Sequence, residues 1–497
     1  MKKLILIPVL ISFFCIRSFT QIIPFPAFSN ARVSNTYEIT SDGKPIDNQT
    51  IIWRSGVASY ARFYVENDAE IVIRCPQSGG KWDISSVKPV DYKSDKNELR
   101  IFLKGSNKIM IQTATKEVLY LFAEQYQPNI PVADDKKIFS ATEFGINPGG
   151  TEILTSKIQK GIDAVAKRGG GTLVFPAGIY ITGTLKMKSN VFLYLSAGAR
   201  IQASINKADY PVDPGKTGKG SEMIYTRLIL YDHVSNSGIL GLGEIDGGRQ
   251  AEEIPEAMQG ILPNLIRIRN SKNITLEGIL LRRAFGWNTH VLYSRDIQIQ
   301  NMESICNGSD GLDIDNSKQV KINNVLISSH DDSFVLKSTA GRYGLPQNVS
   351  HVFMDSTILW TVKSALKFGT ETNAKRMENM VFKNVTIAGS RGALVMYLRD
   401  GATISNISYK NILVKNSRHS LEWIIKNRNG KGKINHITIN NLVSNELNDV
   451  IFEGLDNRHR IKNVVLNGFI MGGKPVFDLN AIPGNRNEFV KNITIKN

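Results

Sequence analysis

From residue 271 onward the chain repeats one hydrophobic–polar phrase. It reads SKNITLEGI, SRDIQIQNM, SKQVKINNV, PQNVSHVFM, MENMVFKNV, ISNISYKNI, INHITINNL, IKNVVLNGF and VKNITIKN. The polar residue that opens each alternating run falls at Asn273, Asp296, Gln319, Asn348, Asn379, Asn406, Asn435, Asn463 and Asn492, at intervals of 23, 23, 29, 31, 27, 29, 28 and 29 residues. Alternation with a period of two predicts strands that bury one face. A unit of this size cannot bury its apolar face alone, so successive units must stack. A propeller blade needs ~40 residues, and leucine-rich repeats would place Leu at fixed positions, which this chain does not do. The pattern predicts a parallel β-helix in which Val, Ile and Leu stack inside and the asparagines form a ladder at one corner. That ladder accounts for Asn-X-Thr sequences such as Asn273-Ile-Thr and Asn492-Ile-Thr better than glycosylation does.

Upstream the period changes. Leu154, Ile158, Ile162 and Val165 stand at helical spacing and are followed by Gly169-Gly170-Gly171, which predicts an amphipathic helix with a glycine stop. An open solenoid end exposes apolar side chains and unpaired backbone, and this helix suits the task of covering it. The runs SNVFLYLSAGARIQAS and GILGLGEIDGG continue the coils toward residue 273. Residues 22–125 lack the asparagine period. There, ARFYVENDAEIVIRC, ELRIFLKG and EVLYLFAE alternate between polar turns and predict a small antiparallel β-sandwich. The expected organisation is a signal peptide over 1–20, an accessory sandwich over 21–125, a linker over 126–138 around Pro128 and Pro131, and the β-helix over 139–497.

The strand pattern makes the chain all-β, and composition supports a folded globular protein, with 42% hydrophobic and 21% charged residues and no low-complexity tract. Lys2 and Lys3 precede the apolar run LILIPVLISFFC, and Ser18-Phe19-Thr20 places small residues three and one before Gln21. That is a signal-peptide pattern with cleavage before Gln21, and its apolar run falls short of the ~20 residues a membrane span needs. A lipoprotein cysteine at Cys15 would follow the bulky Phe14, which argues against it. Export to the periplasm or the extracellular space is expected. Cleavage lowers the formal charge from +16 to +13 and leaves Cys75 and Cys306, read as buried free thiols. A basic exported protein suits nucleic acid, an anionic membrane or an acidic polysaccharide. No nucleic-acid module is present and the basic residues are scattered singly, so a carbohydrate partner or a plain solvated surface remains, and a monomer is expected.

The candidate chemistry lies in NGSDGLDIDNSKQVKINNVLISSHDDSFVLKS, residues 307–338. Aligning GLDI with SFVL places Asp310 against Asp332, one coil on, and adjacent strands lie ~4.8 Å apart. Asp310, Asp331 and Asp332 are therefore expected in one patch, where mutual repulsion should raise one pKa. An acid kept protonated beside ionised carboxylates is what glycoside hydrolysis uses. Three acids in one patch also suit calcium, and Asp is common in tight turns; spacing alone leaves these readings open.

GIDAVAKRGGGTLVFPAGIYITGTLKMKSNVFLYLSAGARI, GLGEIDGG, the WNTH of residues 287–290, SDGLDID and HDDSFVLKS occur in an order that resembles the polygalacturonases, family 28 of the glycoside hydrolases. The resemblance runs from about residue 139 to the C-terminus. It implies a right-handed parallel β-helix without metal or organic cofactor, cutting pectic chains by an inverting single displacement. Asp331 would be the general acid, and Asp310 and Asp332 would activate water. His290, His330, Lys337, Lys367, Glu371 and Arg399 become candidates for substrate binding, with Trp287 either a sugar platform or a core residue. The family's Gly-His-Gly is replaced by Lys363-Ser364-Ala365 and its Arg-Ile-Lys carboxylate clamp by Leu394-Val395-Met396. That loss, with the N-terminal sandwich, also resembles the dextranase-like enzymes of family 49, which cut neutral α-glucans. A calcium-dependent lyase using Arg282, Arg283 or Arg342 as base, and a non-catalytic carbohydrate-binding solenoid, are the remaining alternatives.

Overall fold

The alternating runs pair in parallel with the run one coil on, so that 28 strands join in one continuous ladder. A computed structural model describes residues 22–28, 30–126, 137–211, 227–248, 264–341 and 344–496. The stretch expected to be a signal peptide, most of the expected linker and Arg342 lie outside the described residues. The solenoid is a right-handed parallel β-helix. Like residues stack inward, coil over coil: Ile274 pairs with Ile297, Ile297 with Val320 and Val320 with Val352, and none is more than 1% exposed. Their burial, repeated on every coil, supplies the cohesion that no single coil has.

The corner ladder exists, with two shifts of register. Left-handed backbone occurs at Asn190, Asn236, Asn273, Asp296, Gln319, His351, Asn379, Asn406, His436, Asn463 and Asn492. His351, not Asn348, therefore occupies the corner, because the turn before that strand differs in length. His436 takes the left-handed position of its coil, while Asn435 keeps its place in the ladder by accepting from Asn463 Nδ2 at 2.8 Å. Asparagine suits the corner because it tolerates positive φ and bonds along the stack, as in Asn273 Nδ2 to Asn236 Oδ1 at 2.8 Å and Asn406 Nδ2 to Asn379 Oδ1 at 3.2 Å. A second ladder went unread. Asn301, Asn324, Asn384, Asn411 and Asn441 are also left-handed, with bonds such as Asn324 Nδ2 to Asn301 Oδ1 at 2.8 Å.

The capping helix spans Thr155–Lys167 and buries Ile158, Ile162 and Val165 against the first coil. It stops at Gly169-Gly170, where Gly170 has φ 98 and a Cβ would lie 2.3 Å from the carbonyl oxygen of Asn190.

Upstream, two sheets enclose a core that includes Phe63, Ile71, Leu99, Ile101, Ile111 and Leu121. This sandwich is not wholly antiparallel. Strand Glu117–Gln125 inserts beside Gly56–Val65 in parallel, because the chain between them passes through the opposite sheet and returns. One sheet packs on the wall of the solenoid through Trp53, Tyr60, Met110, Tyr120 and Phe122, against Leu280, Ile305, Leu326, Ile358 and Ala388. Charges are buried in the same interface. Lys108 Nζ contacts Glu124 at 3.2 Å and also bonds Glu303, while Arg62 Nη2 reaches Glu303 at 3.3 Å. Cys75 and Cys306 are both buried and free. No helix among the described residues is long and apolar enough to cross a membrane.

Two stability tests follow from these contacts. Asn406→Val forces a β-branched residue into left-handed backbone and should cost about 1–2 kcal/mol, while Asn406→Gly should cost little; thermal unfolding distinguishes them. Lys108→Ala strands two buried carboxylates with one guanidinium and should cost about 3–5 kcal/mol. A melting temperature unchanged by Lys108→Ala would show that the interface does not depend on this cluster.

Candidate active site

The turn that carries the acids lies where the wall under the sandwich bends into the next face, and rung-to-rung backbone bonds fix it. His330 N donates to Asn307 O at 2.8 Å, Gly311 N to Asp332 O at 2.9 Å and Leu312 N to Ser333 O at 2.9 Å. Gly311 is required by the close stacking, since a Cβ there would lie 2.3 Å from Ile327 and 2.6 Å from the Ser333 carbonyl oxygen. Beneath the turn, Asn307 is fully buried; its Nδ2 donates to Ser328 O at 2.9 Å, and its Oδ1 accepts from Asn288 Nδ2 at 2.6 Å.

This scaffold brings the three aspartates together. One carboxylate oxygen from each of Asp310, Asp331 and Asp332 lies within 4.8 Å of the others. Asp310 and Asp332 are 4% and 5% exposed, whereas Asp331 is partly open to solvent. Each buried acid has its own lysine. Lys337 Nζ is 2.7 Å from Asp310 Oδ2, and Lys367 Nζ is 2.6 Å from Asp332 Oδ2. The other Asp332 oxygen accepts from Ser364 N at 3.2 Å.

Burial, followed by the opposing pull of Lys337 and the repulsion of Asp332 and Asp331, leaves the Asp310 pKa above its ordinary value. Desolvation and, less strongly, crowding raise Asp310, the member the resemblance assigns to water activation and not to proton donation.

A residue that sequence reading did not single out completes the floor. Asp313 is fully buried, 2.6 Å from Lys337 Nζ, and burial pushes its pKa well above the usual carboxylate range. Burial would lower the Lys337 pKa, but the facing Asp310 and Asp313 outweigh it and raise it well above normal. Lys337 Nζ also lies 3.9 Å from the ring centroid of the half-buried Trp287. The signal for Asp313 was present in the alternation of LDID: Leu312 and Ile314 point inward, so Asp313 and Asp315 must point outward.

The remaining candidates fall in three places. His290 is only 1% exposed, packed edge-on against Trp287 with Nε2 3.3 Å from Asp315, and burial lowers its pKa despite that partner. It pairs with Asp313 one coil on and so lies beside the lysine floor, buried rather than open to solvent. His330 borders the acids, and its Nδ1 meets Ser55 Oγ of the sandwich at 2.7 Å. Glu371 and Arg399 sit farther along the same face, where Arg428 reaches Glu371 at 3.5 Å and grips Asp400 with bonds of 2.8 and 2.6 Å. Glu371 falls in the irregular stretch of the strand, where Leu336 pairs with Phe368 but Ser338 with Thr372. Leu394 and Met396 point into the core and Val395 is 2% exposed, so no charged clamp exists at that position.

Two of the arginines considered for lyase chemistry, Arg282 and Arg283, are held in ion pairs. Arg282 Nη2 is 2.7 Å from Asp246, and Arg283 donates to both Asp246 oxygens at 2.7 and 2.6 Å. Arg282 is buried against the sandwich, with its guanidinium 5.4 Å from the Tyr60 ring. These ion pairs occupy both guanidinium groups and leave neither to act as a base beside the triad.

The family model described as "Glycosyl hydrolases family 28" matches residues 172–466, which include every one of these groups except Ser55 and Tyr60. The chain belongs to this family. Among curated relatives, the exo-poly-alpha-D-galacturonosidase of Dickeya chrysanthemi is 26% identical over 305 residues, covering 50% of each protein. The chain spans about half the length of the curated relatives it matches. Among solved structures, the hyperthermoactive exopolygalacturonase of Thermotoga maritima aligns over 75% of this chain and 93% of its own, with TM-score 0.58 and 18% identity. Dex49A from Penicillium minioluteum aligns over 95% of this chain and 96% of its own, with TM-score 0.60 and 10% identity. At these identities the likeness is one of fold, and the second alignment extends it across the sandwich.

The lysine floor makes a signed prediction. Asp313 has a raised folded pKa, so its contribution to stability is full below the unfolded carboxylate pKa and is lost as pH rises through the folded value. Asp313→Asn mimics the protonated acid. Its melting temperature should therefore gain on the wild type toward alkaline pH, while Lys337→Met should lose about 3–5 kcal/mol. Parallel melting curves across pH for Asp313→Asn and wild type would show that Asp313 carries no such proton.

Proposed function

We propose that this family 28 protein is an exported glycoside hydrolase that cleaves a pectin-related, galacturonate-containing polysaccharide by single displacement with inversion. The observation that carries the reading is the clustering of Asp310, Asp331 and Asp332 oxygens within 4.8 Å, with a lysine behind each of the two buried acids. Asp331, the solvent-facing member, protonates the leaving glycosidic oxygen. Asp310 and Asp332 hold a water between them and accept its proton as it attacks the anomeric carbon.

The close spacing invites a comparison with retaining enzymes, whose carboxyls stand ~5–5.5 Å apart against ~6.5–9.5 Å in inverting ones. A nucleophilic carboxylate must present a free oxygen to the sugar. Asp332 has one oxygen on Lys367 and the other on Ser364 N, and Asp310 is buried on Lys337, so both are built to orient a small molecule such as water. The same lysines bear on calcium. A divalent ion at the triad would sit beside ammonium groups already 2.7 and 2.6 Å from two of its oxygen ligands. The names of the curated relatives favour galacturonan as substrate.

A panel of homogalacturonan, rhamnogalacturonan and dextran, scored for reducing ends, tests the reading. Wild type should release reducing ends from a galacturonate-containing chain, insensitive to chelators, and Asp331→Asn should be slower by about a hundredfold to ten-thousandfold. Activity on dextran alone would move the substrate to neutral α-glucans. A chelator-sensitive product absorbing in the ultraviolet would make the reaction an elimination. Binding by wild type and Asp331→Asn without turnover by either would make the solenoid a lectin-like module.

A further inference from the structure

The sandwich reaches the acids. The turn between its strands Gln49–Trp53 and Gly56–Val65 carries Arg54 and Ser55, and both touch the catalytic turn of the solenoid. Arg54 Nη1 donates to Gly308 O at 3.4 Å, two residues before Asp310, and Ser55 Oγ meets His330 Nδ1 at 2.7 Å, one residue before Asp331. Trp53 and Trp360 pack at the base of this turn, 5.9 Å between centroids, and so seat it on the solenoid wall.

Two cations stand here without a carboxylate partner among the described residues. Arg54 and Lys363 are both exposed, and neither shares an ion pair of the kind that holds Lys337, Lys367, Arg391 or Arg428. Both act on the same ring: the His330 pKa is lowered by burial first, then by Arg54 and Lys363. The positive pair therefore flanks His330 and lies beside the opening at Asp331. An anionic sugar chain brought against three aspartates meets repulsion, and cations at the rim offset it and attract the chain as well. An arginine fork is also the side chain best matched to a carboxylate.

We propose that the Arg54–Ser55 turn of the N-terminal sandwich is part of the substrate site, and that Arg54 and Lys363 bind the carboxylate of a uronate unit. The inference rests on the galacturonan reading above and gives the accessory domain a direct part in specificity. Ser55 anchors the turn by holding His330, and the apolar interface beneath fixes its height above the groove. The position lies outside the segment that matches the family model, so the family pattern alone does not contain it.

The test uses the full chain. Arg54 is exposed at a turn, so Arg54→Gln should fold with an unchanged melting temperature. Against de-esterified oligogalacturonate, Arg54→Gln should lower kcat/KM about tenfold, as expected for one charge-assisted bond, with most of the change in KM. Arg54→Lys should recover part of it, and added salt should weaken the wild type more than the variant. Calorimetry of the Asp331→Asn background with trigalacturonate gives a reading without turnover, in which adding Arg54→Gln should weaken binding by a similar factor. Equal binding with and without Arg54, or no binding at all, overturns the inference even if wild type hydrolyses galacturonan. Binding that depends on Arg54 in a protein that hydrolyses nothing would sustain the inference and defeat the hydrolase reading instead.

Discussion

Backbone pairing between successive coils holds this protein together and sets the length scale on which its chemistry works. Each coil lies one strand spacing, ~4.8 Å, from the next. Two side chains at matching positions on neighbouring coils therefore meet at contact distance however far apart they lie in sequence. Inward positions use that distance to pack Ile on Ile and Val on Val. Corner positions use it to link asparagine to asparagine, and the turn at the edge of the wall uses it to set Asp310 against Asp332. One register serves cohesion, strain relief and the clustering of the acids, so any displacement of a coil would disturb all three.

The same closeness would be costly for carboxylates if the site contained only them. Burying acids against one another raises the free energy of their charged forms, and the fold answers with Lys337 and Lys367 from the same face. Asp313 adds a further carboxyl beneath Lys337, so that one ammonium serves two buried acids. Asp331 is the exception in the cluster, open to solvent and carried on the turn itself. The division of labour in the proposed mechanism follows from this asymmetry: braced acids below, a free one at the surface.

The sandwich is joined to the solenoid by aromatic contacts and by a buried group of four charges, Arg62, Lys108, Glu124 and Glu303. A domain attached in that way cannot swing freely, and its turn at Arg54 and Ser55 therefore keeps a constant place beside the acids. The solenoid face has no charged clamp at Leu394-Val395-Met396, while Arg54 and Lys363 have no carboxylate partner among the described residues, so the proposed recognition falls at the junction between domains.

The sequence by itself determined the solenoid, its capping helix and the meeting of Asp310 with Asp331 and Asp332. Period-two alternation, helical spacing and coil length are local properties, and a stacked fold converts coil length directly into proximity. Sequence erred by a small step where a turn changes length, placing Asn348 at a corner that His351 occupies. It gave no hint of His290 buried beside the floor, of Arg282 and Arg283 held by Asp246, or of Arg54 touching the turn before Asp310. Those facts depend on which wall a residue faces and on how a second domain docks, and neither leaves a period in the chain. Only packing of the finished walls decides them.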